Sequence, residues 1–128
     1  MAEVLILDTD RQFSKNLAKY LGGEGHSATA YVEPQQAILG VDTKHPHIII
    51  LDLILAGRSG IEFLYELRSY PEWQNTPVLV VSRLSSDEVF SFQPAFRQLN
   101  VSDYLNKTTT SLSDLREKIE QVLMPAAA

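Results

Sequence analysis

The sequence contains no cysteine, which excludes a disulfide framework, thiolate zinc sites and cysteine nucleophiles. No apolar run approaches the ~20 residues that a helix needs to cross a bilayer. No basic segment precedes an apolar stretch at the N-terminus, as it would in a secretory signal. Lysine and arginine form no cluster, and 11 basic against 16 acidic residues give a net charge of −5. These absences predict a cytoplasmic domain that binds neither a membrane nor a nucleic acid.

The composition is that of an ordinary globular domain, with 128 residues of which 45% are hydrophobic and 21% charged. A chain of this length buries about 65–70% of its unfolded surface, enough for one hydrophobic core. Residues 1–124 are therefore expected to form a single domain. Pro125 and the three alanines after it are typical of a terminal tail or a linker remnant, so 125–128 is set apart.

Five short apolar or β-branched runs predict the strands of one sheet: 4–7, 27–32, 48–51, 78–81 and a short run at 104–105. Helically spaced apolar residues predict helices over 11–21, 34–41, 61–70, 85–99 and 112–123. Pro94 is expected to kink or split the fourth helix, because its ring cannot continue the helical hydrogen bonding. Strands that alternate with helices predict an α/β fold, a parallel sheet covered on both faces.

Polar residues stand at the carboxyl ends of four predicted strands, where open parallel sheets bind their ligands. They are Asp8, Asp52, Ser82 and Lys107. Taken singly, each is more typical of a turn, a helix cap or a surface charge. Two carboxylates, a hydroxyl and an ammonium at one edge of one sheet nevertheless predict a functional site.

Several segments resemble the receiver domain of bacterial response regulators. They are Val-Leu-Ile-Leu-Asp at 4–8, Ile-Leu-Asp at 50–52 followed by Gly60, Thr76-Pro77, Ser82, and Asp-Tyr-Leu-Asn-Lys at 103–107. The resemblance spans essentially the whole chain, in order and with compatible spacings. It implies the flavodoxin-like (βα)5 fold of CheY-like receivers, a doubly wound sandwich with a five-stranded parallel sheet in the order 2-1-3-4-5.

The resemblance also implies a role in two-component phosphorelay signal transduction, as a phosphoacceptor and not as an enzyme. Asp52 would accept a phosphoryl group from a sensor histidine kinase or a phosphotransfer protein, and Lys107 would contact that group. Ser82 and Tyr104 would form a switch that changes the surface of the fourth helix, fifth strand and fifth helix. That surface would bind an unknown output domain or protein and could form a homodimer.

Mg²⁺ is the cofactor that the resemblance implies, held by Asp8, Asp52 and the backbone carbonyl of Ile54. The family usually has two adjacent carboxylates where this chain has Asp8-Thr9. Thr9 could reach the ion only through a water, so the affinity for Mg²⁺ is expected to be weakened. Asp10 stands one residue too late to substitute, because its side chain should point elsewhere.

Further departures from the family pattern are Ala56, Ser59, Arg83, Asn100 and Thr108. Arg83 replaces a small residue and is expected to cover part of the site or to pair with Asp52. Thr108 replaces a proline, so Lys107 could be aimed differently. Asn100 replaces a glycine, and asparagine tolerates the left-handed backbone better than most residues.

Two alternatives remain open. One is a degenerate receiver that recognises protein partners without phosphorylation. The other belongs to a different class, because Asp8-Thr9-Asp10 after an apolar strand is similar to the nucleophile and general acid of dehalogenase-type phosphatases. Against the phosphatase, Gln12 stands where threonine or valine is expected, and no late acidic pair is present for a metal.

Overall fold

A parallel five-stranded sheet forms the centre of the computed structural model, which describes residues 1–124. The expected tail or linker at 125–128 lies outside the described residues. The strands of the chain are β1 (Glu3–Leu7), β2 (Ser27–Tyr31), β3 (Ile48–Leu51), β4 (Ile54–Leu55), β5 (Arg58–Ser59), β6 (Val78–Ser82) and β7 (Asp103–Asn106). The main sheet has the order β2-β1-β3-β6-β7, and β4 pairs with β5 in a separate antiparallel hairpin. Without that hairpin, the order is the predicted 2-1-3-4-5, and the α/β fold is confirmed.

The helices lie between consecutive strands of the sheet, except the last, which follows β7. They are α1 (Arg11–Gly23), α2 (Pro34–Lys44), α3 (Gly60–Ser69), α4 (Ser86–Phe90), α5 (Gln93–Gln98) and α6 (Leu112–Leu123), with a 3-10 turn at Pro71–Trp73. The predicted split of the fourth helix is confirmed, because Pro94 lies in the first turn of α5, where its missing N–H needs no partner. Among residues 1–124, no helix is long and apolar enough to cross a bilayer.

Both faces of the sheet are covered, as the parallel topology requires. Alternate residues of a strand point to opposite faces, so Leu5 and Leu7 pack in one apolar cluster and Val4 and Ile6 in the other. The first cluster contains α2, α3, α4 and α5, and the second contains α1 and α6. Every residue of the central strands β3 and β6 is buried. This rigid sheet fixes where each strand ends, and so fixes the positions of the polar residues that follow.

The left-handed backbone expected at Asn100 is confirmed, with a φ of 56°. The turn sits between α5 and β7, where the Val101 N–H donates to the Phe96 carbonyl at 2.9 Å. Asparagine adopts this conformation at a lower steric cost than most residues, which explains how the position is filled without glycine.

Candidate functional site

The ammonium group of Lys107 lies between the carboxylates of Asp8 and Asp52. Its Nζ atom is 2.7 Å from Oδ2 of Asp8 and 3.0 Å from Oδ2 of Asp52. All three side chains are buried, with exposed fractions of 6% for the lysine and 3% and 8% for the two aspartates. Residues up to 99 positions apart therefore meet in one buried pocket, which we call the lysine pocket.

The register of the sheet explains why these residues meet. Leu7 of β1 pairs with Leu51 of β3, so the aspartates that follow them, Asp8 and Asp52, are neighbours. The Asp52 N–H donates to the Leu7 carbonyl at 3.0 Å and continues the ladder by one bond. The lysine pocket is thus a direct consequence of strand pairing.

Strand pairing also positions Lys107, which follows β7 at the edge of the sheet. Ser82 of β6 pairs with Asn106 of β7, and the Lys107 N–H donates to the Ser82 carbonyl at 2.8 Å. The lysine ammonium also lies 4.6 Å from the centroid of the Phe13 ring of α1, a cation–π distance. Sequence analysis did not identify Phe13, because its helical spacing indicates only a core position.

Each carboxylate of the lysine pocket is held by two donors. Oδ1 of Asp8 accepts from the Asp10 N–H at 2.8 Å, and Oδ1 of Asp52 accepts from the Ile54 N–H at 3.1 Å. The second oxygen of each group accepts from Lys107. The two carboxylates are therefore oriented by the loops that follow β1 and β3 and do not rotate freely.

The pKa values of Asp8 and Lys107 are both raised, although burial and the ion-pair partners act in opposite directions on each group. Burial raises the pKa of Asp8, and the hydrogen bond from Lys107 offsets this only in part. Burial alone would lower the pKa of Lys107, but its hydrogen bonds with Asp8 and Asp52 outweigh this, so its pKa lies above the usual value. With both aspartates ionised, the pocket carries one net negative charge.

Ser82 is fully buried, and its Oγ has no hydrogen-bond partner among the described residues. A buried hydroxyl without a partner costs about 1–3 kcal/mol. Its position at the end of β6, between β3 and β7, places it beside the residues that carry the lysine pocket. Such an unpaired group is available to an incoming ligand oxygen.

Tyr104 is partly buried and is tied to the loop after β6. Its hydroxyl donates to the Leu84 carbonyl and to the Ser82 carbonyl, the latter at 3.2 Å. Burial raises the pKa of Tyr104, and the negative charges of Asp52 and Glu88 raise it further. The aromatic residue and the segment that carries Ser82 are therefore mechanically connected.

Lys107 reaches both carboxylates although Thr108 follows it in place of a proline. Asn106 explains this result. Its Oδ1 accepts from the Thr108 N–H at 2.9 Å and from the Thr108 hydroxyl at 2.5 Å, and its Nδ2 donates to the Leu84 carbonyl at 3.1 Å. These bonds fix the turn that contains Lys107 without a proline. Sequence analysis missed this role of Asn106.

Of the two outcomes expected for Arg83, the pairing with Asp52 is wrong. Nη2 of Arg83 lies 3.3 Å from Oδ2 of Asp10, and Lys107 occupies the Asp52 oxygen instead. Asp10 caps α1, where its Oδ1 accepts from the Phe13 N–H at 3.0 Å, and that hydrogen bond lowers its pKa. Asp10 is therefore not the free general acid that the phosphatase alternative requires.

Gly60 allows the first turn of α3 to lie directly against the backbone that carries Asp52. A Cβ atom at this position would lie 2.4 Å from the Asp52 carbonyl oxygen and 2.9 Å from Cα of Leu53. Both contacts are with backbone, which cannot move away cheaply. Ser59, which departs from the family pattern, caps α3 by accepting from the Ile61 N–H at 3.1 Å.

Asp8 and Asp52 are the carboxylates through which the pocket could hold a metal ion. Across residues 1–124, no group of three or more His, Cys, Asp or Glu side chains is arranged to do so. Mg²⁺ is commonly bound by only one or two carboxylates, with waters and phosphate oxygens as its other ligands. The donor set thus fits a weakly held Mg²⁺. Ile54 belongs to the β4–β5 hairpin and Thr9 is exposed in the loop after Asp8.

The chain is similar to known proteins over most of its length. The family model of the response regulator receiver domain matches residues 4–120. The KDP operon transcriptional regulatory protein KdpE of Escherichia coli is 34% identical over 107 residues, which cover 84% of this chain and 45% of the relative. The chain thus spans about half the length of that relative.

Two solved structures share the fold. The BeF3-activated N-terminal receiver domain of Klebsiella pneumoniae RstA superimposes with a TM-score of 0.82 at 23% identity, covering 96% of this chain and 99% of that one. The chemotaxis response regulator CheY4 of Vibrio cholerae has a TM-score of 0.83 at 19% identity, covering 95% and 98%. At these identities the likeness shows a common fold.

Proposed function

The chain belongs to the receiver-domain family of two-component response regulators, and we propose that it accepts a phosphoryl group on Asp52. Receiver domains are signalling domains and generally use Mg²⁺ for phosphorylation. The observation that carries the proposal is the position of Lys107 Nζ, 3.0 Å from an Asp52 oxygen and inside a buried pocket. An ammonium at this distance can stabilise negative charge that arrives on Asp52.

In the proposed reaction an Asp52 oxygen attacks the phosphorus of a phosphohistidine donor. An oxygen–phosphorus bond forms, the phosphorus–nitrogen bond breaks, and the imidazole leaves with the electron pair and takes up a proton. Because little covalent chemistry falls to the protein, positioning and charge stabilisation are its main tasks. Lys107 would neutralise the transferred group, and the buried hydroxyl of Ser82 would donate to one of its oxygens.

Mg²⁺ would neutralise the charge that accumulates between the carboxylates and the phosphoryl oxygens. We assign its binding to Asp8, Asp52 and the carbonyl of Ile54, with Thr9 contributing through a water. Two carboxylates that already share one lysine predict a lower affinity for the ion than three would give.

The switch proposal follows from the hydrogen bonds of Tyr104. If phosphorylation draws Ser82 towards the transferred group, the loop carrying Leu84 moves, and the Tyr104 hydroxyl loses its present acceptors. The surface of α4, α5, β7 and α6 would then change its affinity for a partner. We propose residues 1–124 as the domain that does this, in the cytoplasm. Its partners would be a sensor histidine kinase or phosphotransfer protein and an output domain or protein, with a homodimer as an alternative.

The second candidate is a degenerate receiver that binds partners without phosphorylation. Two features favour it, namely the replacement of the second acidic residue by Thr9 and the pairing of both remaining carboxylates with Lys107. Because Lys107 already offsets part of the negative charge of the two aspartates, the pocket attracts a second cation less strongly. The two candidates share one fold and differ in whether Asp52 reacts.

Acetyl phosphate with Mg²⁺, followed by intact-protein mass spectrometry, separates the candidates. The wild type is expected to gain one phosphoryl group, and the gain should fall sharply when Mg²⁺ is chelated. Asp52→Asn keeps the shape of the side chain and should gain none. Asp42→Asn makes the same change on an exposed carboxylate of α2 and should behave as the wild type. Absence of any gain on the wild type would leave the degenerate receiver.

A further inference from the structure

The side chain of Arg83 joins the segment after β6 to the loop after β1, and these two segments flank the end of β3 that carries Asp52. Arg83 follows Ser82 directly in the chain, and its guanidinium reaches Asp10 in the loop after β1, with Nη2 3.3 Å from Oδ2. The Asp10 N–H in turn donates to the Asp8 carboxylate at 2.8 Å. The guanidinium therefore contacts the side chain of Asp10, the residue whose backbone contacts Asp8 of the lysine pocket.

The ion pair between Arg83 and Asp10 is weak, because it is open to solvent. The Arg83 side chain is 65% exposed and that of Asp10 is 32% exposed. Exposed pairs of this kind contribute little to stability, so the arginine can leave its partner at little cost. Asp10 keeps its own role without the arginine, because its other oxygen caps α1 through the Phe13 N–H.

Phosphorylation of Asp52 would change the charge balance of the lysine pocket. The pocket has one ammonium for two carboxylates, and a phosphoryl group adds negative charge on several outward oxygens. Guanidinium binds such oxygens through two parallel hydrogen bonds, a geometry that lysine cannot offer. Lys107 is already shared between Asp8 and Asp52, so it does not satisfy the additional oxygens alone.

We propose that Arg83 is a second phosphoryl-binding residue that leaves Asp10 to bind the group carried by Asp52. Asp10 acts as its resting partner and competes with the phosphoryl group for the guanidinium. The inference rests on the proposed function, because it concerns the same pocket. The proposal gives a ligand-binding role to Arg83, which stands where the family usually has a small residue.

The test measures the affinity for the beryllium trifluoride anion in the presence of Mg²⁺, with fluorine NMR to count bound and free anion. This anion mimics a phosphoryl group on an aspartate without requiring turnover. Arg83→Ala is expected to weaken binding about tenfold or more, the loss typical of one charge-assisted hydrogen bond. Arg83→Lys should recover part of the loss, because the charge remains but the fork is gone. Arg97→Ala removes an exposed arginine of α5 and should bind as the wild type does.

A double-mutant cycle separates direct competition from simple charge repulsion. Asp10→Asn keeps a good helix cap and removes the resting partner, so anion binding should tighten. If Asp10 acts through Arg83, the tightening should largely disappear in the Arg83→Ala background. If it persists there in full, Asp10 acts by its charge alone and the competition is refuted.

The remaining outcomes are distinct. Binding by the wild type that Arg83→Ala leaves unchanged would overturn the role of Arg83 and leave the proposed function intact. No binding by the wild type or by any variant would overturn both. Circular dichroism and thermal unfolding of each variant would confirm that altered binding does not reflect loss of fold.

Discussion

Lys107→Met is expected to lower the free energy of unfolding by about 3 kcal/mol or more near pH 8, measured by urea or guanidinium denaturation. The ammonium lies within 3.0 Å of two buried carboxylates, and methionine would leave both without their ionic partner. Removing one member of a buried ion pair typically costs about 3–5 kcal/mol, because the other charge stays buried and unpaired. The equilibrium constant for unfolding would therefore rise by more than about a hundredfold.

The loss of stability in Lys107→Met should be larger at high pH than at low pH. Since the pKa of Lys107 is raised in the folded protein, its stabilising contribution is complete below the unfolded pKa and is lost only at strongly alkaline pH. The pKa of Asp8 is already raised by burial, and loss of Lys107 would raise it further. Folded Asp8 then binds its proton more tightly than the unfolded chain does, so the variant loses stability as the pH rises through that window. The deficit relative to the wild type should shrink as the pH falls back through it.

Lys118→Met is the matched control. Nζ of Lys118 lies 2.8 Å from Oδ2 of Asp103, but the two side chains are 27% and 45% exposed. The expected loss is below about 1 kcal/mol, because water screens the pair. Equal losses for the two variants, or a deficit of Lys107→Met that does not change with pH, would contradict the buried ion pairs described for the lysine pocket.

Thr9→Asp is expected to lower the dissociation constant for Mg²⁺ by about tenfold or more. The substitution adds a third carboxylate next to Asp8 and changes the net charge of the lysine pocket from −1 to −2. A harder, more negative oxygen site favours a small divalent cation. Isothermal titration calorimetry, or amide shifts of Asp8 and Asp52 during an Mg²⁺ titration, would measure the effect without any phosphorylation.

Thr43→Asp introduces the same charge at an exposed position of α2 and should leave the dissociation constant unchanged. An unchanged affinity in Thr9→Asp would mean that Thr9 does not lie within reach of the cation. It would also show that some feature other than the missing acidic residue limits the binding of Mg²⁺.

The convergence of Asp8, Asp52, Ser82 and Lys107 could be predicted because it depends on topology alone. Parallel strands with buried, β-branched sequences end at one edge, and the polar residues that follow them must lie there. The split of the fourth helix at Pro94 was predictable for a similar reason, since proline acts through its own backbone. The spacing of Ser85 and Glu88 is likewise the sequence pattern of a capping box, and the structure contains that capping box at the start of α4.

The features that could not be predicted depend on long side chains and on loop geometry. Arg83 could reach more than one carboxylate, and the sequence contains no information on which one Lys107 already occupies. The turn around Lys107 depends on three hydrogen bonds of Asn106, which only the folded loop reveals. Gly60 is required because α3 lies directly against the backbone of Asp52 and Leu53. The spacing of Gly60 from Asp52 in the sequence does not by itself reveal this contact.

The most direct test of the central claim is to locate the phosphoryl group on the chain. After treatment with acetyl phosphate and Mg²⁺, borohydride reduction of the acyl phosphate and peptide mass spectrometry would mark the modified carboxyl group. The lysine pocket predicts the mark on Asp52, with Asp8 and Asp10 unmodified. A mark on either of those residues, or none on the folded wild type, would contradict the assignment of Asp52 as the acceptor.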